Sequence, residues 1–166
     1  MSRRVAGFSL VELMVTFAVM AVLALAAMPF ARGWIDGNRQ MQARNLMWEA
    51  VSQTRALALR NPENVGLDAV SARLVRDGRT LSVLRADGSE VAWSGQLPRS
   101  ADIKLTGSND FDDAQALQAS ADDLACVAFG NRGQRLPLAA ACTSGITLHR
   151  LAIGMNRQDP LYVDLL

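Results

Sequence analysis

The sequence predicts an α+β protein: a long N-terminal helix, one half membrane-embedded and the other amphipathic, packed on a C-terminal antiparallel β domain. Three observations predict it. The chain is apolar from Phe8 to Met28 with Glu12 as the only charge, a three-to-four-residue spacing of apolar side chains continues to about Arg60, and beyond Pro62 short alternating segments are separated by Asp-Gly turns. Four segments follow: a basic leader at 1–7, the transmembrane half of the helix at 8–28, its amphipathic half at 29–61, and a β-rich globular domain at 62–166.

A helix over 8–28, rising 1.5 Å per residue, is roughly 30 Å long, the thickness of a bilayer's hydrocarbon core. Arg3 and Arg4 precede it, and the positive-inside rule assigns them to the cytoplasm, so everything after Met28 is expected in the periplasm or outside. Glu12 is the anomaly. A carboxylate at a bilayer centre costs about 2.5–3.5 kcal/mol on insertion scales, and less near a helix end. A cut between Gly7 and Phe8 would create an α-amino group one turn from Glu12, and in an array of such helices the amine of one subunit would meet the carboxylate of the next. Two plainer readings compete: a secretory signal with Ala24-Leu25-Ala26 as its A-x-A cleavage site, and an uncleaved anchor. The secretory reading does not explain Glu12, because such apolar regions are normally uncharged.

Gly7-Phe8-Ser9-Leu10-Val11-Glu12, after a short basic leader and ahead of an uninterrupted apolar helix, closely resembles the class III leader of type IV pilins and type II secretion pseudopilins. The resemblance implies that a prepilin peptidase cleaves after Gly7 and methylates Phe8, that Glu12 is the assembly glutamate, and that Pro29 is the helix-bending proline. It also implies the pilin fold. The precursor would cross the bacterial inner membrane once with its C-terminal domain in the periplasm, then enter a pilus or pseudopilus alongside major and minor pilins or pseudopilins.

After Pro29 the pattern turns amphipathic. Met47, Val51, Thr54 and Ala58 form one stripe with Leu46, Ala50 and Leu57 beside it, while Arg39, Arg44, Glu49, Gln53 and Arg60 lie opposite. Asn61-Pro62 ends the helix, since proline disfavours helix at the residue before it. Pro29 removes a backbone hydrogen bond, and Gly33 and Gly37 each weaken the helix by about 1 kcal/mol relative to alanine, making this stretch its softest part. Strands are predicted at 73–76, 80–85 and 90–94 around Asp77-Gly78 and Asp87-Gly88, with Leu81 and Val83 facing Val91 and Trp93. Further strands are expected at 102–106, 125–129, 146–153 and 161–165. The helix tail from Gln53 to Asn61, the following strands, Cys126-Val127-Ala128-Phe129 and Gly133 together look like the GspH/FimT group of minor pilins and pseudopilins.

The precursor's formal charge is +1, from 17 basic and 16 acidic side chains, and losing Arg3 and Arg4 turns it slightly acidic, which argues against generic nucleic-acid or acidic-lipid binding. Cys126 and Cys142 lie in the exported part, where a pair is expected to be bridged. No enzyme is expected. The only histidine, His149, alternates with Leu148 on a predicted strand and so faces solvent, and no nucleophilic triad assembles without it. Asp110, Asp112 and Asp113 lack the glycine and distal glutamate of an EF-hand, so no metal and no cofactor is predicted. Arg73, Arg76, Arg79 and Arg85 surround one hairpin, and Arg132 and Arg135 flank Gly133, giving two basic edges. Some minor pilins of this group bind DNA through arginine-rich loops, which makes Arg132 and Arg135 the positions for DNA contact, with plain surface charge or subunit contact as the alternative.

Overall fold

Helix α1 runs from Leu10 to Arg60 as one element, through Pro29. The computed structural model describes residues 9–107, 111–136, 142 and 149–165. The chain divides into two units, Met1–Ile35 and Asp36–Leu166, with the division inside α1. In the second unit α1 buries Gln40, Ala43, Met47, Ala50, Val51, Thr54 and Ala58, the stripe read from the sequence extended by two turns toward the N-terminus. Its end is capped by Asn61, which takes a left-handed φ of 41° that asparagine tolerates and binds Val65 with both ends of its side-chain amide.

Two antiparallel sheets follow. The first orders its strands β3-β2-β1-β5-β6, from β1 (Val70–Asp77), β2 (Thr80–Arg85), β3 (Val91–Gln96), β5 (Cys126–Gly130) and β6 (Arg135–Leu136). The second orders β4 (Ala101–Thr106), β7 (Arg150–Met155) and β8 (Gln158–Asp164) as β4-β7-β8. A single apolar core joins α1 to both: Met47 and Val51 of the helix with Leu74, Leu81 and Phe129 of one sheet and Ile103, Leu151 and Ile153 of the other. Gly78 and Gly88 turn the two hairpins with φ of 55° and 76°, as the Asp-Gly pairs predict.

The second hairpin departs from the expected facing. Val83 does pair with Trp93, but Leu81 lies opposite Gly95, and the register shifts so that Leu84 meets Val91 and Ala92 is the extra, bulged residue. Gly95 is required there, because a Cβ would sit 2.6 Å from the Trp93 indole and 2.8 Å from Leu46. Strand ends also differ. β1 begins earlier than predicted because it pairs on both sides, with β2 and β5, and β8 reaches back through Pro160 because an edge strand tolerates proline. The expected strand at 146–153 begins only at Arg150, and 143–148 lie outside the described residues. Helix α2 (Ala114–Ala119), capped by the Asp113 carboxylate, and the two-residue β6 were not predicted; both are too short for a periodicity to register.

Two polar side chains do structural work inside this unit. Gln40 is buried on α1, and its amide donates to the carbonyls of Ile153 (2.9 Å) and Asp159 (2.7 Å), fastening the helix to β7 and β8. Lys104, buried on β4, donates to the Ser120 carbonyl at 2.8 Å and pairs with Asp123 at 2.9 Å, holding the chain between α2 and β5 against the second sheet. On the face of the first sheet away from the main core, Cys126, Ala128 and Cys142 form a small second cluster with Val70, Val75 and Leu136. Cys126 and Cys142 are joined, with Cα atoms 5.0 Å apart across 16 positions of sequence.

Replacing Gln40 with leucine strands two carbonyls without their donor, and denaturant unfolding of the protein is expected to register a loss of about 1–3 kcal/mol. A loop of this length makes the disulfide worth about 3 kcal/mol. Alkylation of the unreduced protein should therefore label neither cysteine, and Cys142→Ser should unfold at correspondingly lower denaturant.

Candidate functional site

The first unit is chemically defined by what it leaves uncovered. Leu10, Val11, Met14, Phe17, Met20, Val22, Leu23 and Leu25 are all exposed, and they occur on every side of the helix. The span is long and apolar enough to cross a membrane, and none of it is buried within the chain, which removes the core helix of a soluble protein as an explanation. Such a surface is stable only against lipid or other apolar helices.

Glu12 sits in the first turn of α1, where the helix dipole favours a negative charge. Ser9 immediately precedes the helix, so Ser9 and Glu12 have the spacing of a capping box, a local reason for an acid at this position that the sequence reading missed. Gly7 and Phe8 lie outside the described residues. Pro29 interrupts one backbone bond of α1 without ending the helix.

The arginines of the second unit separate into two kinds. Around the hairpins they are spent on the fold: Arg73 donates to the Ala86 carbonyl, Arg76 to those of Gly78 and Ile103, Arg79 twice to that of Leu97, and Arg85 pairs with Glu90 at 3.1 Å. The first expected basic edge is therefore a set of turn clamps. In the Asp87-Gly88 turn, the hydrogen bonds from the Ser89 hydroxyl and backbone N–H hold the Asp87 carboxyl below the usual aspartate range. Around Gly133, Arg132 is exposed, whereas Arg135 is half-buried on β6 and burial lowers its pKa. Arg55 of α1 joins this turn, donating to the Gly133 carbonyl at 3.3 Å and standing 6.0 Å from the Phe129 ring centre. Nothing in the local sequence links Arg55 to this turn, because the link is made only when the helix packs on β5.

His149 lies just outside β7 rather than on a strand, and it is half-buried instead of facing solvent. Its N–H donates to the Thr106 carbonyl and its own carbonyl accepts from Leu165, tying the start of β7 to β4 and to the chain end. Of the three aspartates, Asp113 caps α2, Asp112 is exposed and Asp110 lies outside the described residues. Among the described residues no three His, Cys, Asp or Glu side chains gather into a metal-binding group.

In comparison with known families, residues 2–28 match the prokaryotic N-terminal methylation motif. Comparisons with curated proteins and with solved structures return no match. The matched motif, the uncovered apolar start of α1 that it spans and the antiparallel sheets of the second unit support a type IV pilin-like precursor, and the motif implies processing by prepilin peptidase and assembly with other pilins.

Proposed function

We propose that the chain is a minor type IV pilin of the GspH/FimT kind, cut after Gly7, methylated on Phe8 and built into a pilus or its initiating complex. The observation that carries this reading is the methylation motif over residues 2–28, which covers an apolar start of α1 whose one carboxylate there is Glu12 and whose apolar window has no cover within the chain. The precursor sits in the inner membrane with its β domain in the periplasm. Its work is assembly rather than catalysis, and its partners are the peptidase and other major and minor pilins.

The closest rival is an H-type minor pseudopilin of a type II secretion system, with the same processing and a different machine. Pro29 favours the pilus, since secretion members of the group often lack it. A deletion strain that loses surface pili but still secretes is the outcome expected here; the reverse phenotype selects the rival. A DNA-capturing minor pilin is a reading of another class, supported by the three arginines around Gly133 and weakened by the partial burial of Arg135. A salt-dependent mobility shift on purified protein, lost in Arg132→Ala, would favour it.

Intact-mass analysis of membrane-extracted protein should find a chain beginning at methylated Phe8, and one beginning at Ala27 would reject the reading. Gly7→Leu should leave unprocessed precursor in the membrane.

Glu12→Gln separates charge pairing with a neighbouring subunit from capping at the helix start. Glutamine still completes a capping box but carries no charge to pair with the amine of a neighbouring subunit in a low-dielectric bundle. The variant should be cleaved and folded normally, while its recovery in sheared filaments falls about tenfold. Wild-type recovery would reject charge pairing as the role of Glu12.

A further inference from the structure

Strand β3 is the outer strand of the first sheet, and beyond its bulge at Ala92 the regular part, Trp93–Gln96, carries no charge and no proline to blunt the edge. The Leu97 N–H donates to the Arg79 carbonyl, so the alternation of an antiparallel ladder turns the backbone groups of Trp93 and Gly95 toward β2 and those of Ser94 and Gln96 away from the sheet. Ser94 and Gln96 are exposed.

The edge is also held rigidly. The Trp93 indole lies against the bare face of Gly95 and donates from Nε1 to the Glu49 carboxylate of α1 at 3.1 Å, fixing the strand to the helix. Beside it, Ala56, Leu57, Val83, Ala92 and Trp93 line a cavity of about 90 Å³ together with Gln53 and Arg60. At about 30 Å³ per water this holds roughly three waters, or one small aliphatic side chain. Arg60 is exposed and makes no hydrogen bond or ion pair among the described residues, unlike the hairpin arginines.

We infer that β3 is a strand-addition site for an extended segment of a partner protein that places a small aliphatic side chain in the cavity and a neighbouring carboxylate on Arg60. A second copy of this strand is a poorer occupant. Val91–Gln96 has no acid, and the adjoining Glu90 is already paired with Arg85. The inference does not depend on which machine the chain serves.

The test uses the full-length protein in detergent micelles and two end-blocked, dansyl-labelled peptides, Thr-Val-Thr-Val-Asp-Thr and the same peptide with lysine in place of aspartate. Fluorescence anisotropy should give saturable binding of the acidic peptide and binding about tenfold weaker for the basic one, with Arg60→Glu reversing that order. Ser94→Pro removes an N–H that no ladder bond uses, so it should keep the circular dichroism spectrum and weaken the acidic peptide about tenfold or more. No saturation at millimolar peptide, or equal binding by Ser94→Pro, would overturn the inference. So would sedimentation in which Ser94→Pro turns a dimer into a monomer, which would assign the edge to a second copy.

Discussion

Burial of one stripe of α1, from Gln40 to Ala58, is the interaction on which the second unit depends. Neither sheet is wide, and Met47, Val51 and Ala58 join residues of both in one apolar core. The stripe contains two polar residues, and each is satisfied in place. Thr54 donates back to the Ala50 carbonyl, and Gln40 bridges to β7 and β8. The helix therefore fixes the position of the second sheet by directed hydrogen bonds as well as by apolar contact, and the latter alone would tolerate sliding.

The same helix changes its surroundings partway along. Between Glu12 and Arg32 it is uncharged and mostly apolar on all sides, and through the second unit it has a buried stripe and a charged back, yet no break in secondary structure marks the change. Periodicity made this readable, because a uniformly apolar run and a striped one differ in pattern even when both are helical. The hairpins were readable for a different reason: Asp-Gly demands a left-handed residue, and that local demand survives whatever packs around it. Strand ends were not readable because pairing partners decide them, and the bulge at Ala92 and the facing of Leu81 were not because they belong to the register in which Trp93 packs on Gly95. α2 depends on a single cap, Asp113, which the sequence reading had weighed as a metal ligand.

The arginines carry the same lesson into function. As letters, Arg73, Arg76, Arg79 and Arg85 made a basic edge, but a guanidinium has five donors, and in a turn-rich domain the nearest acceptors are carbonyls. Arg55 belongs with Arg132 and Arg135 only because α1 carries it to the Gly133 turn. Glu12 was legible as an anomaly of composition. That Ser9 stands at capping-box spacing from it emerged from where the helix begins.

Lys104 is the only lysine in the chain, and its ammonium is buried between Asp123 and the Ser120 carbonyl. Amine chemistry at the folded surface is therefore confined to the α-amino group of whichever residue begins the mature chain. An acylating reagent applied to native protein becomes a reporter of that terminus, and the arrival of a second acyl group marks the moment the β4 strand comes loose.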